Sequence, residues 1–267
     1  MTKKYKIIVA HPDDEVLFFS SIIKSASKII ISYNRSSEKT VSLGRERIKN
    51  KLPFKNYIYL NYDEANVFNS ANWYNPKICK EGLNFKTNKK KYIINYNKIK
   101  SKLSKILKVG DTIYTHNPWG EYGHEEHVQM FYCIKHLQKK LNLKIFVSGY
   151  VSNKSYNLMK KSQYMLTNPV LNNNQNIKLA NKLKEIYISH YCWTFDDFYK
   201  WPEIEIFYEI KKNYTTHNFE KNYSSIVPMN IISGEFNVNY IKTFIHSFFS
   251  YKIKKILKKI IVNFYTK

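Results

Sequence analysis

Short apolar, β-branched runs recur along the first 151 residues, separated by stretches whose apolar positions are grouped for a helix. "YKIIVA" (5–10), "KIIISYN" (28–34), "NYIYLNY" (56–62), "TIYTHN" (112–117) and "KIFVSGYV" (144–151) predict strands. Between them, 15–27, 43–52, 96–107 and 125–141 predict helices. This alternation implies parallel βαβ units, hence an α/β fold with a Rossmann-like, doubly wound, mostly parallel sheet. Residues 63–92, with Asn, Trp, Pro and Gly scattered through them, read as a long loop over one end of the sheet. The polar stretch 172–176 reads as a loop before a helix over 177–190, and no internal repeat is present.

The pattern changes near the end. Apolar residues at 241, 244, 245, 248, 249, 253, 256, 257, 260, 261 and 264 follow helical spacing, with Lys254, Lys255, Lys258 and Lys259 on the other side. The expected organisation is therefore one domain over 1–235 and a basic amphipathic helical segment over 236–267. A final helix docked on the core and an interfacial anchor to anionic membrane through 241–264 both fit this pattern.

Composition narrows the class. A chain of 267 residues, 43% hydrophobic and 16% aromatic, can bury a substantial core, which argues against disorder. The formal charge of +24 suits an anionic partner, yet only Arg35, Arg45 and Arg47 are arginines among 44 basic residues. Such lysine excess, alongside abundant Asn, Ile and Tyr, is the mark of an AT-rich coding sequence, so the charge is only a weak pointer to an anionic partner. No nucleic-acid-reading motif is present, and no nucleic-acid partner is expected. Cys79, Cys133 and Cys192 are widely spaced and odd in number, which suits a reducing compartment. The apolar run at the N-terminus is too short for a signal peptide or membrane span. The expected location is cytoplasmic, peripheral at the inner membrane face if 241–264 acts as an anchor.

The chemistry begins with "KIIVAHPDDEVLFF" (6–19), where three carboxylates stand between two apolar runs. Repulsion and desolvation both oppose that arrangement, so a positive partner is required. In open parallel sheets, ligands bind beyond the carboxyl ends of the strands. Residues 11–15 and "HNPWGEYGHEEH" (116–127) each follow a strand, so the two clusters should meet at one edge. Together they offer imidazoles from His11, His124 and His127 and carboxylates from Asp13 and Asp14. Two histidines and one carboxylate suit a catalytic zinc with an open position. The remaining Asp can then serve as base and a further His as acid or oxyanion partner. A simple helix cap, with Pro12 and acids near a helix start, would use fewer of these groups.

"AHPDDE" (10–15) together with "HNPWGEYGHEEH" (116–127) resembles the signature pair of the GlcNAc-PI de-N-acetylase family, the PIG-L or LmbE-like zinc deacetylases. The family's GxYGHxxH form is matched by Gly120, Tyr122, Gly123, His124 and His127, and "SHYCWTFDDFYKWPEIEIF" (189–207) is similar to its His-containing C-terminal segment. The resemblance implies an LmbE-like fold and Zn²⁺ held by His11, Asp14 and His127. Fe²⁺ or another divalent ion would suit the same ligands. It also implies Asp13 as general base for the attacking water, and Tyr122 and His124 as oxyanion stabilisers. His124 would protonate the leaving amine, and Glu126 occupies the position of an aspartate that orients this histidine. The products would be acetate and a free amine, from an N-acetylated amino sugar that is nucleotide-linked, lipid-linked or a surface-glycan precursor.

Other residues carry weaker signals. Arg45 and Arg47 suit either a substrate phosphate or hydroxyl, or a solvated helix face. His116 and Asn117 suit substrate contact or loop hydrogen bonding, and Trp119 suits stacking on a sugar or core packing. Glu15 and His190 are expected to support the site by hydrogen bonds from behind it. Two alternatives stand beside the sugar deacetylase: a deacylase of a non-sugar amide such as an antibiotic or thiol conjugate, and a non-catalytic basic membrane-binding module.

Overall fold

The computed structural model describes residues 4–172, 175–213 and 228–232. In chain order the strands are β1 (Tyr5–Val9), β2 (Lys28–Arg35), β3 (Tyr57–Asp63), β4 (Ile78–Cys79), β5 (Gly82–Leu83), β6 (Thr112–Thr115), β7 (Lys144–Ser148), β8 (Tyr150–Val151), β9 (Leu166–Asn172), β10 (Glu205–Ile210) and β11 (Asn230–Ile231). The helices are α1 (Asp14–Phe19), α2 (Lys39–Ile48), α3 (Lys89–Ile106), α4 (Glu125–Leu141), α5 (Tyr156–Ser162) and α6 (Ile177–Ser189).

Seven strands form the central sheet in the order β3-β2-β1-β6-β7-β10-β9. The first five pair parallel, and β10 runs antiparallel to both β7 and β9. The fold is a doubly wound α/β sheet, mostly parallel, and β1 is apolar without alternation because both its faces are covered: Ile7, Ile8 and Val9 are all buried. Ile8, Ile30, Ile113 and Ile145 share one core cluster with Tyr96, Ile99 and Leu103 of α3 and Phe131 and Ile134 of α4. On α6, contacts run to α1 and α2. Connections from β1 lead outward to β2 and β3, whereas β6 and β7 lie on the other side of β1. The strand order therefore reverses between β1 and β6, where such sheets open a crevice at their carboxyl ends.

Four expectations differ from the structure. The helix predicted over 15–27 ends at Phe19, because Ser21 N donates to Glu205 Oε2 (3.0 Å) instead of a carbonyl of the preceding turn. Helix α2 covers Lys39–Ile48, shifted toward the N-terminus relative to 43–52. Helix α3 starts at Lys89, after Asn88 in the left-handed region (φ 52). The antiparallel pair β9 and β10 was not expected, since Pro169 interrupts an exposed run that lacks a strand's apolar alternation.

Cα packing divides the chain into Met1–Thr194 with Lys200–Ile231, which carries every element above, and Phe195–Tyr199 with Ile232–Lys267. The amphipathic pattern of 241–264 and most of the segment expected over 236–267 lie outside the described residues. Among the described residues, no helix is long and apolar enough to cross a membrane.

Candidate metal centre

Two turns build the site, one after each strand flanking the reversal. Ile8 of β1 lies opposite Thr115 of β6, so the residues that follow them emerge side by side. After β1 the chain bends sharply at Asp13, whose φ of 100° is unusual for a residue with a Cβ. After β6 it turns through Gly120 (φ +67°) and Gly123 (φ +91°); a Cβ at Gly120 would meet the His124 carbonyl oxygen at 2.5 Å. His124 then caps α4, its Nδ1 accepting from Glu126 N at 3.2 Å.

The three consecutive acids are all buried, and each faces different donors. Asp13 Oδ2 accepts from Thr194 N and Thr194 Oγ1, both at 2.8 Å. Asp14 Oδ2 accepts from His11 N at 2.7 Å and lies 3.2 Å from His11 Nδ1. Glu15 accepts from Tyr187 OH (2.6 Å), Tyr57 OH (3.2 Å) and Asp13 N (3.1 Å). Glu15 thus braces the turn from behind and ties α1 to α6 and β3.

Electrostatics separate the neighbours. Burial, and then the charge of Asp14, push the Asp13 carboxyl up to about 7, against the lowering pull of Arg45 and Thr194. Burial acts on Asp14 as well, but His127, His116 and His11 outweigh it and hold Asp14 well below the usual carboxylate range. One acid is thereby kept as an anion and the other is poised to exchange a proton near neutrality.

His11, Asp14 and His127 converge, with one donor atom from each lying within 4.8 Å of the others. His127 Nε2 sits 3.2 Å from Asp14 Oδ1 yet has no hydrogen-bond partner. That closeness without alignment is what two ligands of one ion show, since atoms about 2.1 Å from a tetrahedral ion stand about 3.4 Å apart. Each histidine is fixed from its far side by a carboxylate: His11 Nε2 by Glu126 Oε2 (2.8 Å) and His127 Nδ1 by Glu121 Oε2 (2.9 Å). Such carboxylate–imidazole pairs are the usual backing of metal-bound histidines. The donor set therefore fits a divalent ion such as Zn²⁺.

Several predicted residues take other places. Glu126 orients His11 rather than His124; only its backbone N–H reaches His124. His116 is fully buried, its Nε2 accepting from Ala10 N (2.9 Å), so it braces the β1 exit instead of touching substrate. Asn117 donates to the Ser148 and Tyr150 carbonyls, and Trp119 is buried with its indole N–H on Tyr150 O (2.7 Å), which leaves neither a face for a sugar. Arg45 is buried and paired with Glu64 Oε1 (2.5 Å), so it neither faces solvent nor grips a ligand through Nη1. Arg47 is exposed on α2. His190 ends α6 with its Nδ1 on Ile186 O (2.9 Å), and it belongs to no group of potential metal ligands among the described residues. Sequence reasoning missed Glu121, Glu64 and Thr194.

The remaining side of the site is aromatic. Tyr122 and His124 are half-buried; the Tyr122 ring centroid lies 5.3 Å from that of His127. Phe68 stacks on His124 at 4.9 Å, and Lys154 Nζ stands 4.2 Å from the centre of the Phe68 ring. Both acids at the start of α4 hold the long loop here. Glu126 accepts from Ala65 N (2.5 Å), and Glu125 from Asn69 N (3.2 Å), Ala71 N (2.8 Å) and Trp73 Nε1 (3.1 Å).

Fold and site together define a doubly wound α/β protein with a buried His–Asp–His donor set at its topological switch point. No protein-family model matches the chain. A search of curated proteins likewise finds no match. Among solved structures the chain is similar to the antimicrobial reagent A40926 pseudoaglycone deacetylase Dbv21, with 10% identity and a TM-score of 0.45 over 80% of this chain and 100% of that one.

Proposed function

We propose that the chain is a divalent-metal-dependent amide hydrolase that removes the acetyl group from an N-acetylated amino sugar, with Zn²⁺ held by His11, Asp14 and His127. One observation carries the reading: a buried His127 Nε2 without a hydrogen-bond partner converges with Asp14 and His11, with the carboxylate of Asp13 adjacent in the chain. The choice of an amino sugar rests on the resemblance of "AHPDDE" and "GEYGHEEH" to the de-N-acetylase signatures.

When bound, the ion supplies Lewis acidity that polarises the acyl oxygen and makes water nucleophilic near neutral pH. The protein does the rest. Both hydrogen bonds to Asp13 end on Oδ2, which leaves Oδ1 to take the water's proton. A carboxyl poised at about 7 suits a base at neutral pH. His124 accepts at Nδ1 from backbone, so its ring proton sits on Nε2, where it can stabilise the oxyanion, while the proton that Asp13 takes from the water passes on to the leaving nitrogen. Burial, with His127 and His11 nearby, lowers the His124 pKa well below its ordinary value and favours this neutral donor form. Tyr122 supplies the second oxyanion donor. A lipid-linked substrate would suit peripheral attachment to anionic membrane through 241–264, which sedimentation with anionic liposomes, with and without residues 236–267, would test.

The deciding experiment is acetate release across N-acetylated sugars, with bound metal quantified and Asp13→Ala run beside the wild type. Protein that takes up no divalent metal, or Asp13→Ala that releases acetate at the wild-type rate, overturns the reading.

A further inference from the structure

Glu121 joins the metal-side histidine to the end of β6. Its Oε2 lies 2.9 Å from His127 Nδ1 and 3.0 Å from His116 Nδ1, while Oε1 accepts from Asn117 N (2.9 Å) and Ser148 Oγ (2.5 Å). Glu121, His116 and His127 are all fully buried, so water cannot substitute for any of these bonds. An ionised carboxylate only accepts, so both rings must carry their protons on Nδ1. His116 Nε2 is then a lone pair, and it accepts from Ala10 N at 2.9 Å. In the neutral ring His127 Nε2 is likewise a lone pair; it has no hydrogen-bond partner and lies 3.2 Å from Asp14 Oδ1.

The alternative tautomer is close at hand. A proton on His127 Nε2 would sit beside the Asp14 carboxylate, whose Oδ1 is only 3.2 Å away, and that attraction would cost the site its donor atom. Glu121, the acceptor on Nδ1, opposes it. We propose that Glu121 is a positioning residue that locks His127 in its Nδ1–H tautomer and thereby sets the affinity of the site for a divalent ion. This rests on the metal-hydrolase reading above. His116 shares the same oxygen but holds the β1 exit, so its loss leaves the lock on His127 in place.

The test uses the full chain. Nitrogen-15 NMR of the metal-free protein, with the His127 signal assigned by its loss in His127→Gln, should show an unprotonated Nε2 in the wild type and a protonated Nε2 in Glu121→Ala. Zn²⁺ affinity, measured by competition with a chelator, should fall about 10- to 100-fold in Glu121→Ala and less in Glu121→Gln, which keeps an oxygen acceptor. Ser148→Ala disturbs the same buried pocket without removing the Glu121–His127 bond, and should bind Zn²⁺ as the wild type does. If Glu121→Ala does not fold, Glu121→Gln against Ser148→Ala carries the comparison. Equal weakening in Glu121 and Ser148 variants would mean packing rather than a lock, and an unchanged His127 tautomer in Glu121→Ala overturns the proposal. A wild type that takes up no Zn²⁺ overturns the hydrolase reading instead, and the tautomer measurement still reports on the lock.

Discussion

Thr194 holds Asp13 with two hydrogen bonds, from its backbone N and its Oγ1, each 2.8 Å long and both ending on Oδ2 across 181 residues of chain. The pair fixes the plane of the carboxylate and so the direction in which Oδ1 faces. Thr194→Val keeps the backbone donor and removes the hydroxyl. A hydrogen bond to a charged group is worth about 1.5–3 kcal/mol, so kcat/KM for acetate release should fall about tenfold or more. Thr194→Ser should retain most of the activity, and an undiminished rate in Thr194→Val would exclude the hydroxyl from the mechanism.

Arg45 and Glu64 form a buried pair, and Arg45 Nε has no hydrogen-bond partner. Breaking such a pair from one side leaves an uncompensated charge, at a cost of about 3–5 kcal/mol. Arg45→Met should lower the urea midpoint accordingly, and the double variant Arg45→Met with Glu64→Gln should recover much of the loss. Equal stability of the single and double variants would show that the pair does not act as a unit.

Glu205 gives a pH dependence away from the metal-side residues. It is fully buried and accepts from Ser20 Oγ (3.1 Å), Tyr150 OH (3.1 Å), Ser21 N (3.0 Å) and Ser21 Oγ. Burial outweighs these donors and raises its pKa above the ordinary 4.5. A raised carboxyl binds its proton more tightly in the folded state, so its contribution to stability is full below 4.5 and is lost as pH rises through the folded value. Wild-type stability relative to Glu205→Gln should therefore decline as pH increases from 4.5. Urea titrations across that range check the sign; a difference that grows with pH would contradict it.

Thiol chemistry should rank the cysteines. Cys133 and Cys192 are buried, while Cys79 is half-buried in the β4–β5 hairpin. Burial raises all three thiol pKa values, with Cys192 pushed up to about 12. Native alkylation with iodoacetamide, followed by mass spectrometry, should modify Cys79 first.

Much of this arrangement was legible. The apolar runs located β1, β2, β3, β6 and β7, and α4 occupies 125–141 as its pattern predicts. The meeting of the two polar clusters follows from their places just past two strands, and the choice of His11, Asp14 and His127 among them came from the resemblance. Arg45 was readable in retrospect, since Val41, Gly44, Arg45 and Ile48 share the buried stripe of α2. Glu121 was not, because its identity in "GEYGH" signals only a turn. Its partners His116, His127 and Ser148 come from β6, α4 and β7 and meet only once the sheet is assembled. Glu126 was assigned to the wrong histidine for a similar reason. The resemblance pointed to His124, whereas a side chain in the first turn of α4 reaches back to His11.

The acids Glu125 and Glu126 at the head of α4 give the 64–88 loop a second meaning. Its backbone N–H groups are the solvent that these carboxylates would otherwise need, and one of those carboxylates carries the ring of His11. An engineer who trimmed the loop would be draining the local solvation of the ion's own scaffold. The segment that wraps the head of α4 thus also sets the footing of His11.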